Sequence, residues 1–139
     1  MSAYVLDTDE VTLLLHGQRQ ISQRVAEHNP EDLAVKIITV EEILSGWYSQ
    51  IRRAKKDEQL ARAYQALQEA VEFLARVRIL PFDLTAISAF RSLQARKLGV
   101  KVNDLKIAAI VQQNDAIVVT RNVRDFKKVP GLRSEDWSF

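Results

Sequence analysis

There is no cysteine in this chain, and histidine occurs only twice, as His16 and His28. A disulfide framework and a thiolate zinc site are excluded, and two histidines do not make a His-rich metal site between them. Glycine and proline are scarce, at four and three residues, so no stretch has the composition of a disordered linker. Long apolar runs are missing too, the longest being Ile107 to Val111. The start carries Asp7, Asp9 and Glu10 where a signal peptide has a basic beginning and a long apolar core. Neither export nor a membrane span is expected, and a reducing cytoplasm fits best. A strong charge of one sign is also absent. The net charge of +2 and pI near 9.0 are compatible with a nucleic-acid partner without proving one.

What is present is one domain's worth of ordinary globular sequence. A chain of 139 residues buries roughly two-thirds of its unfolded surface without cross-links. Ala3-Tyr4-Val5-Leu6 reads as a short buried strand running into Asp7-Thr8-Asp9, and a helix follows at Val11-Leu15. A second helix spans Gln20 to His28, with Ile21 and Val25 on one face, and stops before Pro30. Leu33 to Val40 is rich in branched residues and reads as the second strand. A helical hairpin over about 45–76 carries Leu60, Tyr64, Leu67, Val71 and Leu74 at coiled-coil spacing, which reads as packing. Trp47, Tyr48 and Tyr64 offer the hairpin aromatic surface for a partner or a second copy, and the run Arg52-Arg53-Ala54-Lys55-Lys56 reads as a solvated face. Val77 to Phe82 is the third strand. A helix from Asp83 runs to a stop at Gly99, Asn103-Asp104 opens a buried helix from Leu105 to Gln113, and Ala116 to Thr120 is the fourth strand. Alternating strands and helices predict an α/β fold, a three-layer α/β/α sandwich on a mainly parallel sheet.

In such a unit the N-terminus of each helix lies at the same end as the strands' carboxyl termini. Asp7 follows strand one, Glu42 follows strand two, Asp104 opens the helix before strand four, and Asp125 lies just beyond that strand. All four map to one rim, where ligands bind in open parallel sheets. Each has a local alternative. Asp7 or Asp9 suits an N-cap, Thr39 with Glu42 has the spacing of a capping box, and Asp104 suits a helix start. Together they would repel and raise one another's pKa unless a cation neutralises them. An all-oxygen set selects Mg²⁺ or Mn²⁺, the apparatus of metal-assisted phosphodiester hydrolysis. Arg121, Arg124, Lys127 and Lys128 flank the last acid and suit a polyanion's backbone, or are a loop's ordinary charges.

Leu6-Asp7-Thr8-Asp9, Ile38-Thr39-Val40-Glu41-Glu42-Ile43, Asn103-Asp104-Leu105-Lys106-Ile107-Ala108-Ala109 and Val119-Thr120-Arg121-Asn122-Val123-Arg124-Asp125-Phe126 resemble the ordered motifs of PIN domains. The tail from Pro130 to Trp137 is similar to that of the VapC group of toxins. The resemblance implies a Mg²⁺- or Mn²⁺-dependent ribonuclease, the toxin of a toxin-antitoxin pair, dimeric and inhibited by a small antitoxin protein lying over the active site. Residue by residue, it implies Asp7, Glu42 and Asp104 as metal-binding acids. Asp125 matches the later acid that some members use as a fourth, while others have an aspartate where this chain has Asn122. It further implies Asp9, Thr120 and Asn122 in support.

Two other readings have sequence features behind them. Asp7-Thr8-Asp9 after a strand also looks like the start of a haloacid-dehalogenase-type phosphatase, but Thr120-Arg121-Asn122 lacks the adjacent acid pair which that chemistry needs after a late strand. A PIN-like domain that binds RNA or protein without cutting would keep the fold and be free to lose an acid; Asp7, Glu42 and Asp104 are intact.

Overall fold

Strand residues here alternate in where they bury, as a sheet covered on both faces requires. In the computed structural model, which describes residues 3–138, five short strands pair in parallel in the order β3-β2-β1-β4-β5. They are β1 Tyr4–Leu6, β2 Leu33–Lys36, β3 Arg78–Leu80, β4 Ile117–Val119 and β5 Arg133–Glu135. Val5, Ala34 and Val118 lie side by side on one face. They pack there with Ile107, Ile110 and Val111 of α6 (Val102–Gln113) and Ala86 of α5 (Leu84–Ala95). Leu6, Val35 and Val119 bury on the other face with residues of α1 (Thr8–Leu15), α2 (Arg19–Ala26), α3 (Ile37–Arg53) and α4 (Asp57–Leu74). The α/β/α sandwich follows. A last short helix, α7 (Val123–Phe126), is pinned to the core by the buried Phe126.

Several boundaries differ from the sequence reading. β2 stops at Lys36, and Ile37 to Val40 begin α3 instead of extending the strand. Strand propensity is worth only about 1 kcal/mol per residue and yields to burial. As helix, the segment buries Ile38 and Ile43 in opposite cores. The capping box at Thr39 therefore does not form. The cap position is Lys36, whose side chain makes no capping bond. Likewise α1 begins at Thr8 with Asp7 as its cap, and α6 begins at Val102, leaving Asp104 inside its first turn. α5 ends at Ala95, short of Gly99, because the chain turns left-handed at Lys97 (φ 52°).

The apolar stripe of α4 packs only in part. Leu60, Tyr64 and Val71 are 37, 55 and 50 % exposed, while Ala63, Ala70 and Leu74 form the buried face. Of the stripe, Leu74 is buried and Leu67 half-buried, while Leu60, Tyr64 and Val71 turn toward solvent beside the small residues that pack. β5 was not expected. It pairs with β4, and Trp137 just beyond it is fully buried beside Tyr4 and His28.

Candidate active site

The chain enters the sheet at β1, adds β2 and β3 on one side, then returns to add β4 on the other. The carboxyl ends of β1 and β4 flank this switch point, where adjacent connections leave in opposite directions and open a crevice. Asp7 directly follows β1 and Thr120 directly follows β4. An open depression of about 520 Å³ lies there, lined among others by Asp7, Asp9, Glu42, Asp104, Asn122 and Asp125. The structure thus brings the acids singled out in the sequence to one place, each from a different element.

Asp7 is held on every side. Its Oδ1 accepts from the Thr8 amide at 2.9 Å and from Lys36 Nζ at 2.9 Å, and its Oδ2 accepts from Thr120 Oγ1 at 3.0 Å. Burial alone would raise its pKa, but the Lys36 ammonium, with the Thr8 and Thr120 bonds, holds it below the ordinary value. The Asn122 backbone amide in turn donates to Thr120 Oγ1 at 2.9 Å, so Thr120 and Asn122 join a hydrogen-bond chain that ends on Asp7. Thr8 links Asp7's helix to the second acid, its hydroxyl donating to Glu42 Oε1 at 2.6 Å and lying 2.9 Å from Thr39 Oγ1. Asp104 faces them from α6. Burial, and then the negative charges of Asp7, Asp125 and Glu42, push its pKa up, opposed by Lys101. Asp125 pairs at 3.6 Å with Lys128.

The donor set fits a hard divalent cation in chemistry, since its acids are oxygen ligands and Asp104 feels their repulsion. Among the described residues, no three Asp, Glu or His side chains stand close enough to enclose an ion without moving. Asp9 is exposed and turned to Arg121 at 3.9 Å. Arg121, Arg124 and Lys127 are exposed near this end of the sheet.

Three residues beside the acids carry no weight in the motifs. Thr8 is one; Lys36 and Glu10 are the others, both fully buried. The only sequence signal for Lys36 is a charge interrupting the apolar run Ala34-Val35 to Ile37-Ile38. Glu10 Oε1 accepts from the Arg121 amide at 3.1 Å, whereas its Oε2 is buried without a partner. Burial, only partly offset by Arg121 and reinforced by Asp7 and Asp9, raises the Glu10 pKa to about 7. Between its ordinary value of 4.5 and about 7, the folded chain keeps a proton that the unfolded chain has released. Stability from this group is therefore full below that window and lost as pH rises through it, by about 3 kcal/mol. Urea midpoints between pH 4.5 and 8 should fall more steeply with pH in the native chain than in Glu10→Gln. Equal slopes would mean that Glu10 is charged throughout.

A family model described as PIN domain matches residues 4–132. The chain belongs to the PIN domain family. Ribonuclease VapC1 of Haemophilus influenzae (strain R2866) is 28% identical over 137 residues, covering 97% of this PIN domain and 98% of its own length. A tRNA(fMet)-specific endonuclease VapC of Shigella flexneri is 26% identical over 99% of this chain and all of its own. In the crystal structure of DNA-bound VapBC from Salmonella typhimurium, one chain shares the fold with a TM-score of 0.79. Its identity is 24%, over 99% of both chains. That likeness in fold spans the chain, including β5, which lies just beyond the segment matched by the family model.

Proposed function

We propose that this PIN domain is an endoribonuclease that depends on Mg²⁺ or Mn²⁺, acting as the toxin of a toxin-antitoxin pair. The observation that carries the reading is the convergence of Asp7, Glu42, Asp104 and Asp125 on the switch-point crevice. Relatives named as VapC ribonucleases, matched along their whole length, supply the reaction class.

Asp7, Glu42 and Asp104 would hold the metal, which when bound lowers the pKa of water and offsets charge on the phosphate. Asp7 is oriented for this by the Thr8 amide, Lys36 and Thr120, and Glu42 by the Thr8 hydroxyl. Asp125 closes the crevice as a fourth acid, anchored through Phe126. Arg121, Arg124 and Lys127 would meet the RNA backbone, giving a salt-sensitive contribution that carries no sequence preference.

An antitoxin protein is the proposed partner, as in the VapBC complexes that share the fold. A recess of about 470 Å³ continuous with the acids through Thr8 and Glu42, with Leu15, Ile43 and Trp47 in its wall, supports a peptide segment reaching the site. Exposed Tyr48, Tyr64 and Val71 support a homodimer. No helix among the described residues is long and apolar enough to cross a membrane, and the proposed compartment is the cytoplasm.

The deciding assay incubates the purified chain with structured and unstructured RNA. Cleavage should stop with a chelator, return with Mn²⁺, and fall at least about a hundredfold in Asp104→Asn. Cutting that survives both the chelator and Asp104→Asn would remove the metal reading. Hydrolysis of small phosphate esters without RNA cleavage would favour the phosphatase.

A further inference from the structure

We propose that Lys36 is a positioning residue serving as a built-in cation of the acid site, so that the site takes a single divalent ion per chain. The proposal rests on the metal-site reading above and concerns how many ions that site admits.

Lysine is almost never fully buried unless its charge is matched. Lys36 is fully buried, and alternation along β2 places it on the Ala34 face, the side of the sheet that α6 covers. Its ammonium reaches two acceptors, the Leu6 carbonyl at 3.1 Å and Asp7 Oδ1 at 2.9 Å. Burial lowers its pKa, and the charges of Asp7, Glu42 and Asp104 oppose that shift, Asp7 the most. A hydrated surface lysine can swing away when a metal arrives. Lys36 is enclosed by protein, with its ammonium held between two acceptors.

Lone pairs on Asp7 set the limit. An ionised carboxylate offers about four acceptor positions. On Oδ1, Lys36 Nζ and the Thr8 amide take two, and on Oδ2 the Thr120 hydroxyl takes another. What remains is a position on Oδ2, enough for one ion. A carboxylate that bridges two ions through both of its oxygens needs a free position on each, and on Oδ1 the Lys36 ammonium and the Thr8 amide occupy both. Charge points the same way. Lys36 already offsets part of the charge of Asp7, Glu42 and Asp104, and a second dication would stand against the positive charge buried beneath them.

The test counts Mn²⁺ bound to the full chain by calorimetry and by electron paramagnetic resonance, with no RNA present. The native chain should bind one Mn²⁺ and show no spin-coupled pair. Lys36→Ser and Lys36→Met should either gain a second ion or bind the first at least about tenfold more tightly. Two coupled ions in the native chain would overturn the proposal and leave the metal site standing. So would a folded Lys36→Met with unchanged count and affinity. A native chain that binds no Mn²⁺ would sink the metal reading itself, and this inference with it. If neither variant folds, the native count decides.

Discussion

Asp7→Asn should lower the single-turnover rate of RNA cleavage by about three orders of magnitude at saturating Mn²⁺, a loss of roughly 4 kcal/mol in the transition state. The substitution removes half of a charge pair while keeping the shape, and each contact of Asp7 has a fate that can be followed. The amide oxygen of asparagine can still accept from the Thr8 amide and from Lys36 Nζ, the two donors that meet Oδ1 now. Its nitrogen would face Thr120 Oγ1, which can accept as well as donate and already accepts from the Asn122 amide. The fold should therefore survive, at a cost of about 1–3 kcal/mol for leaving the buried ammonium of Lys36 with a neutral partner. Asp7→Ala strands the ammonium outright and should cost about 3–5 kcal/mol. Urea midpoints measured beside the rates separate the two effects. A folded Asp7→Asn chain that cuts RNA at the native rate would take Asp7 out of the site.

Trp137→Ala should destabilise the chain by about 3–5 kcal/mol, a large share of the 5–15 kcal/mol typical of a domain. The indole is fully buried although it lies beyond the last strand. It stacks on His28 at 4.4 Å, meets Tyr4 at 5.3 Å and has the Arg24 guanidinium 5.5 Å over its ring. Its Nε1 donates to Glu135 Oε1 at 3.0 Å. Alanine leaves a cavity, an unpaired carboxylate oxygen and a loosened β5 at once. Because the Thr120 amide donates to the Glu135 carbonyl at 2.9 Å, that loosening reaches the residue that orients Asp7. Chemical denaturation followed by circular dichroism avoids confusion with Trp47 fluorescence. A loss under about 1 kcal/mol would show that the tail is not part of the core.

Much of this could be read before any coordinates. Four of the strands, the helices between them and the convergence of acids on one rim follow from hydrophobic periodicity and from the polarity of parallel βα units. Errors fell where two local signals competed. Ile37 to Val40 have strand-like side chains but lie on a helix, because tertiary burial outweighs a weak backbone preference. Leu60, Tyr64 and Val71 of the heptad-like stripe of α4 face water while Leu74 packs, since helical spacing shows that a face exists without saying which way it turns. β5 is only three residues long, with Arg133 and Glu135 at its ends, and has no apolar pattern to announce it.

By itself the sequence determined the layer order, the all-oxygen character of the site and which acids arrive at the rim, because those depend on periodicity, composition and chain direction. Tertiary structure alone decided the surroundings of those acids: Lys36 locked under Asp7, Thr8 bridging to Glu42, and Glu10 buried with an orphan oxygen. Asp7 and Lys36 are 29 residues apart, and Asp7 and Thr120 are 113 apart. Hydrogen bonding and desolvation act through space over a few ångströms, so no local pattern along the chain records which distant groups will share them.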